Sequence, residues 1–146
     1  MTATIQQTLT VSCVILTMGN RPAEVIRAID SVLAQHGTQV DLVVVGNGAD
    51  VTGLPAGVRA IRLPENVGVA AGRNAGVAAC EGDVVLFLDD DGWYPDPGLA
   101  ADVAAKFAAD PALAVLSFQV VDPEGGPGAR WHVPRLRAGT RTGPRW

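Results

Sequence analysis

An open, mostly parallel α/β sheet with helices on both faces is the architecture this sequence predicts, on three observations. Short β-rich runs alternate with stretches that carry apolar residues at helical spacing. The apolar run Val84-Val85-Leu86-Phe87-Leu88 stops on Asp89-Asp90-Asp91-Gly92, and the C-terminal ends of strands are where open α/β sheets place their ligands. The 146 residues, 48% of them hydrophobic and including 17 Gly and 10 Pro, suffice for one domain with one core and many turns.

Residues 1–8 are polar and are expected to fray, and Leu9–Thr17 reads as the first strand. Thr17-Met18-Gly19-Asn20-Arg21-Pro22 ends that strand, with Pro22 in the first turn of a helix whose apolar face is Val25, Ile26, Ile29, Val32 and Leu33. A second strand, Val40–Val45, breaks at Gly46-Asn47-Gly48. A strand followed by Gly-x-Gly also opens dinucleotide-binding sites. Here Val51 stands at the third glycine position, and Gly53, Pro55 and Gly57 follow where a helix should begin, so an Asn-Gly turn is the better reading.

A short third strand is expected over Val58–Leu63, with Asn66 as N-cap of a helix reaching Cys80. Gly68, Gly72 and Gly76 recur every four residues along it and leave one face open to close approach by a backbone or a ligand. Arg73 and Asn74 are its polar residues; Arg73 is either a surface charge or a donor to a carboxylate or a ligand phosphate. Glu81-Gly82-Asp83 then leads into Val84–Leu88, read as the buried central strand. Asp96 and Pro97 should start a helix with a stripe of Leu99, Val103 and Phe107, and Leu113–Val121 reads as a further strand. Trp93 and Tyr94 either pack the loop or form a lid.

Three adjacent carboxylates repel one another, so a positive partner is expected beside them, most simply a divalent cation. Oxygen ligands suit Mg²⁺ or Mn²⁺, which would hold ligand phosphates in turn. A solvated acidic turn is the bland alternative. The net charge of −4 conceals a split: residues 1–126 carry six basic residues against all 15 acidic ones, whereas residues 127–146 hold five arginines and no acid. An acidic body argues against nucleic acid as a partner. Cys13 and Cys80 have no metal-binding spacing and read as free thiols, which together with the lack of a basic leader or long apolar run suits a cytoplasmic chain without indicated membrane association.

The runs 11–21 (Val-Ser-Cys-Val-Ile-Leu-Thr-Met-Gly-Asn-Arg), 43–48 (Val-Val-Val-Gly-Asn-Gly), 66–76 (Asn-Val-Gly-Val-Ala-Ala-Gly-Arg-Asn-Ala-Gly) and 82–91 (Gly-Asp-Val-Val-Leu-Phe-Leu-Asp-Asp-Asp) together resemble the GT-A glycosyltransferases of family 2. Each run alone is weak; the order and spacing of all four make the resemblance specific over residues 9 to about 122. It implies a Rossmann-like nucleotide-sugar-binding half over 9–122, and a basic, irregular tail over 123–146 that starts a missing acceptor-binding half. It also implies an inverting transfer from a nucleotide-diphosphate sugar to an unknown saccharide, lipid or small-molecule acceptor. By the resemblance, Asp91 with Asp89 binds Mg²⁺ or Mn²⁺, and Asp90 or Asp89 meets the ribose. Thr17 and Asn47 then line the nucleoside pocket, and Asn66, Gly68 and Arg73 the donor side.

Two positions depart from the family pattern. Gly46 stands where an acidic nucleoside contact is usual, and neither Asp122 nor Glu124, the last acids, matches the general base. The expectation is therefore a truncated chain that binds donor with little or no transfer. A non-catalytic nucleotide-binding fragment is the alternative, its open sheet edge covered by a partner chain or by homo-oligomerisation. Haloacid-dehalogenase-type phosphatases also carry Asp-x-Asp after an apolar strand, but on the first strand and with a different sequel from Gly92-Trp93.

Overall fold

A computed structural model describes residues 8–121; the expectations for the N-terminal seven residues and for the tail 123–146 lie outside the described residues. The chain divides into two compact units, Met1–Ala112 and Leu113–Trp146. The first holds seven elements: β1 (Val11–Thr17), α1 (Pro22–Leu33), β2 (Val40–Asn47), β3 (Arg59–Leu63), α2 (Val69–Val77), β4 (Val84–Asp89) and α3 (Leu99–Ala109). Of the second unit, residues 113–121 are described and contain neither helix nor strand, so the strand expected at Leu113–Val121 is not formed there. Val115, Phe118, Val120 and Val121 are exposed, and β-rich composition is no substitute for a ladder partner.

The four strands form one parallel sheet in the order β3-β2-β1-β4. The interior strands are therefore β2 and β1, and Val11, Cys13, Val14 and Ile15 of β1 are almost completely buried. The expectation that Val84–Leu88 is the central strand is corrected: among the described residues β4 lies at the edge of the sheet, with Phe87 45% exposed. The chain steps from β1 to β2 and β3 in one direction, then crosses back to the other side of β1 for β4. Right-handed crossovers in opposite directions put α1 and α2 on opposite faces. The reversal leaves a crevice between the C-terminal ends of β1 and β4, where such sheets bind ligands.

Alternation along the strands divides the core between these faces. On one side Val14, Val43 and Val45 form a cluster flanked by Leu16, Ile61 and Leu63. α2 lies against it through Gly72 and Gly76: a Cβ on Gly72 would stand 2.6 Å from Leu16 Cδ1, and one on Gly76 would run into Val14. The glycine stripe thus serves sheet packing. On the other side α1 buries Val25, Ala28, Ile29 and Val32, while Ile26 and Leu33 of the expected face stay exposed. Two helix starts also fall later than expected. α2 begins at Val69 behind Gly68 (φ 83°), without a side-chain cap, so Asn66 is not its N-cap; Asn66 Oδ1 instead accepts the Gly68 N–H at 2.9 Å in a turn ahead of the helix. α3 begins at Leu99, with Asp96 Oδ1 accepting the Gly98 N–H at 2.8 Å. Among the described residues no helix is long and apolar enough to cross a membrane.

Candidate functional site

The crevice between β1 and β4 opens into a cleft of about 440 Å³, lined by Thr17, Met18, Asn20 and Arg21 from the β1–α1 turn and by Asn47, Asn66, Gly68 and Arg73 from the α2 side. Asp89, Asp90 and Asp91 close it on the β4 side. The parallel register sets this up, because Leu16 pairs with Asp89 and Thr17 with Gly46, so both strands end level. Every residue that the sequence nominated lines this one cleft.

The three carboxylates have separate partners. Asp90 is the most enclosed, with 16% of its side chain exposed, and its Oδ2 accepts the Thr17 hydroxyl at 2.7 Å. Thr17, itself 2% exposed, also accepts the Gly19 N–H at 3.1 Å, so its hydroxyl ties the β1 turn to the triplet. Asp89 Oδ1 accepts from Arg73 Nη2 at 2.7 Å, and the Arg73 guanidinium lies 5.3 Å from the Phe87 ring centroid. Asp91 Oδ2 pairs with Arg21, whose Nη1 is also 3.8 Å from Asp90 Oδ1. The positive partner expected beside the triplet is thus supplied by two arginines, and of the two readings of Arg73 the carboxylate pair is the one formed.

Arg21 and Arg27 are functional candidates that sequence reasoning missed. Arg27 Nη2 donates to the Asp91 carbonyl at 3.1 Å, and its guanidinium carbon stacks 4.1 Å from the Trp93 ring centroid. Four residues on, Ser31 Oγ accepts the Tyr94 N–H at 3.1 Å. Four further, just past α1, Gln35 donates to the Asp96 carbonyl at 2.9 Å and accepts the Ala100 N–H at 2.9 Å. This ridge of residues four apart fastens the whole 91–100 segment to α1. The spacing is visible in the sequence; the backbone partners, more than 60 residues away, are not. Trp93 and Tyr94 pack this loop: the Tyr94 hydroxyl donates to the Phe87 carbonyl at 3.4 Å and lies 3.9 Å from Cys13 Sγ.

Asn47 is 4% exposed, and its amide is committed internally. Its Oδ1 accepts the Val67 N–H at 2.9 Å, and its Nδ2 donates to Asn66 Oδ1 at 2.9 Å. It shapes the cleft wall by holding the 66–68 turn. Gly46 has a local cause: a Cβ there would run into the Ala49 carbonyl and stand 2.7 Å from Val51 Cγ2, because the loop after β2 folds back on itself. No helix follows Gly46-Asn47-Gly48, in keeping with the turn reading of that sequence.

For a divalent cation the donor set is chemically suitable: hard, exposed carboxylate oxygens at a cleft mouth. Among the described residues no three acidic, His or Cys side chains converge on one point.

The family model described as glycosyl transferase family 2 matches residues 13–144. The chain belongs to this family. The family 2 match runs beyond Val121 through most of the basic tail, farther than the four sequence motifs reach. A curated relative, the succinoglycan biosynthesis protein ExoO of Rhizobium meliloti (strain 1021), is 36% identical over 113 residues, covering 73% of this chain and 32% of that protein. The mannosyltransferase PcManGT of Pyrobaculum calidifontis, solved in complex with GDP-Man and Mn²⁺, superposes with a TM-score of 0.66 at 21% identity over 81% of this chain and 37% of its own. That likeness confirms the GT-A-type α/β fold. The chain spans about a third of the length of each relative. Family membership removes the phosphatase alternative, and the Asp triplet stands on the fourth strand, as expected against it.

Proposed function

We propose that this family 2 chain is the donor-binding part of an inverting glycosyltransferase that uses a nucleotide-diphosphate sugar and Mg²⁺ or Mn²⁺. The observation that carries the reading is the gathering of Asp89, Asp90, Asp91, Thr17, Asn66, Gly68 and Arg73 around one cleft at the sheet's switch point. The metal when bound would neutralise charge developing on the diphosphate leaving group. Asp91 with Asp89 would hold it, and Asp90, fixed by Thr17, would face the ribose. Arg73 would orient a donor phosphate through its fork of N–H groups. Asn47 acts through the turn it clamps. The mannosyltransferase bound to GDP-Man and Mn²⁺ supports a sugar donor and a divalent ion of this kind.

No described residue is assigned as general base, since the acids lining the cleft are the triplet itself. We therefore infer donor binding with little or no transfer by this chain alone; the acceptor class stays with the remainder of the relatives' length. A cytoplasmic location belongs to the same proposal and rests on the free thiols of Cys13 and Cys80. Calorimetric titration with UDP, GDP and dTDP, each with Mn²⁺ and with chelator, tests the reading. Metal-dependent binding of one nucleotide is expected; a folded chain that binds none of them refutes it.

A further inference from the structure

Arg21 and Arg73 both face the Asp triplet, but they are held differently. Arg73 is anchored on two sides, by Asp89 and by the face of Phe87. The Arg21 guanidinium, at the mouth of the cleft on a side chain 48% exposed, has the carboxylates of Asp90 and Asp91 as its only hydrogen-bond or ion-pair partners among the described residues. The Asp90 carboxylate and the Asp91 main chain are positioned without it. Thr17 holds Asp90, and Arg27 holds the Asp91 main chain while stacking on Trp93. Of the two arginines paired with the triplet, Arg21 is the one whose guanidinium is held by the triplet's carboxylates alone among the described residues.

We propose that Arg21 is an exchangeable counter-cation for Asp90 and Asp91, and that a divalent metal enters this cleft by displacing its guanidinium. The inference rests on the metal reading given above and adds to it a determinant of metal affinity that lies on α1's approach, outside the acidic motif. Two physical terms act in the same direction. The metal and the guanidinium draw on the same Asp91 carboxylate, and a positive charge beside the site repels an incoming cation. An exposed ion pair is weak enough to be exchanged by an ion that binds the Asp91 carboxylate more strongly. Three adjacent carboxylates would otherwise repel one another, and Arg21 relieves that repulsion whenever the metal has not taken its place.

The test is a Mn²⁺ titration of the full chain without nucleotide, read from the EPR signal of free aqueous Mn²⁺, on the unaltered protein, Arg21→Gln, Arg21→Lys and Asp91→Asn. Arg21→Gln is expected to bind Mn²⁺ about three- to tenfold more tightly, the scale of one exposed ion pair plus the lost repulsion. Arg21→Lys, which keeps the charge but loses the fork, should fall between. Thermal melting in chelator should show Arg21→Gln less stable than the unaltered chain, with the gap closing in saturating Mn²⁺. Equal or weaker Mn²⁺ binding by Arg21→Gln, alongside loss of binding in Asp91→Asn, overturns the exchange and leaves the metal site standing. If neither the unaltered chain nor Arg21→Gln binds Mn²⁺, or Asp91→Asn binds as well as both, the metal reading falls and the exchange with it. Should Arg21→Gln fail to fold, Arg21→Lys decides: affinity no higher than that of the unaltered chain overturns the proposal.

Discussion

At the N-terminal end of the sheet Asp41, at the start of β2, has both carboxylate oxygens committed. Arg59 grips it through two nitrogens, and Ser12 Oγ donates to it at 3.0 Å. The Glu81 N–H reaches the same carboxylate at 3.3 Å, and the Glu81 carboxylate accepts from Arg59 at 3.2 Å. At the C-terminal end three aspartates face two arginines beside an open cleft, and among the described residues each carboxylate keeps one oxygen without a hydrogen bond. The ends share residue types and differ in saturation. A carboxylate with every acceptor used ties strands together, whereas one with an oxygen spare beside a crevice is available to a ligand. The first kind stabilises the fold; the second destabilises it slightly through like-charge repulsion, a cost that the proposed donor site would explain.

The comparison breaks most sharply under Asp91→Asn. It removes a carboxylate charge at the open end, so on the proposed metal reading metal-dependent nucleotide binding should disappear while the melting temperature holds or rises; unchanged affinity in calorimetry with Mn²⁺ would sink the metal assignment. Asp41→Asn should do the reverse. It loses the ionic grip on Arg59 at a half-buried site and should cost on the order of 1–3 kcal/mol in denaturant unfolding, with nucleotide affinity unaffected. If it weakened binding as much as the open-end substitution does, the division of labour between the two ends would be wrong. Arg73→Ala is expected to weaken donor binding by on the order of 1.5–3 kcal/mol, the worth of a charged hydrogen bond. An unaltered affinity would mean that Arg73 serves Asp89 alone.

How much of this was legible in the sequence follows from how local each signal is. β1, β2, β4 and the three helices announced themselves by apolar period and by Pro22, Gly46 and Asp96, and the triplet's place at a strand end came with them. The edge position of β4 did not, because five successive apolar residues read the same in a strand covered on two faces as in one with Phe87 exposed. The strand expected at Leu113–Val121 relied on composition, which cannot supply a neighbour to pair with. At the site, Asn66, Gly68 and Arg73 stood out as a polar and glycine pattern within a single run. Arg21, Arg27, Ser31 and Gln35 were invisible as a group because their partners lie on the other side of the reversal that creates the cleft. The similarity in composition between the Asp41 and Asp91 clusters is likewise resolved only by hydrogen bonds.

The remaining expected effect appears only at alkaline pH and concerns β1, the strand that joins the two ends. Cys13 sits mid-strand, fully buried, and burial pushes its thiol from the ordinary 9.0 up to about 12 despite the contact with the Tyr94 hydroxyl. Burial raises the Tyr94 hydroxyl in the same direction. Below pH 9 the Cys13 thiol is protonated in both the folded and the unfolded chain, and the full stability is present. Between pH 9 and about 12 the unfolded chain releases this proton and the folded chain does not, so stability falls as pH rises, by about 1.4 kcal/mol per pH unit for one such group. Cys13→Ala costs stability at every pH through the cavity it leaves, but it removes this proton from the balance. Denaturant unfolding from pH 8 to 11 should therefore decline less steeply for the variant than for the unaltered chain. Equal slopes would assign the alkaline loss to Tyr94 and Cys80, whose thiol is also raised by burial, and would leave β1 a neutral bridge between the closed and the open ends of the sheet.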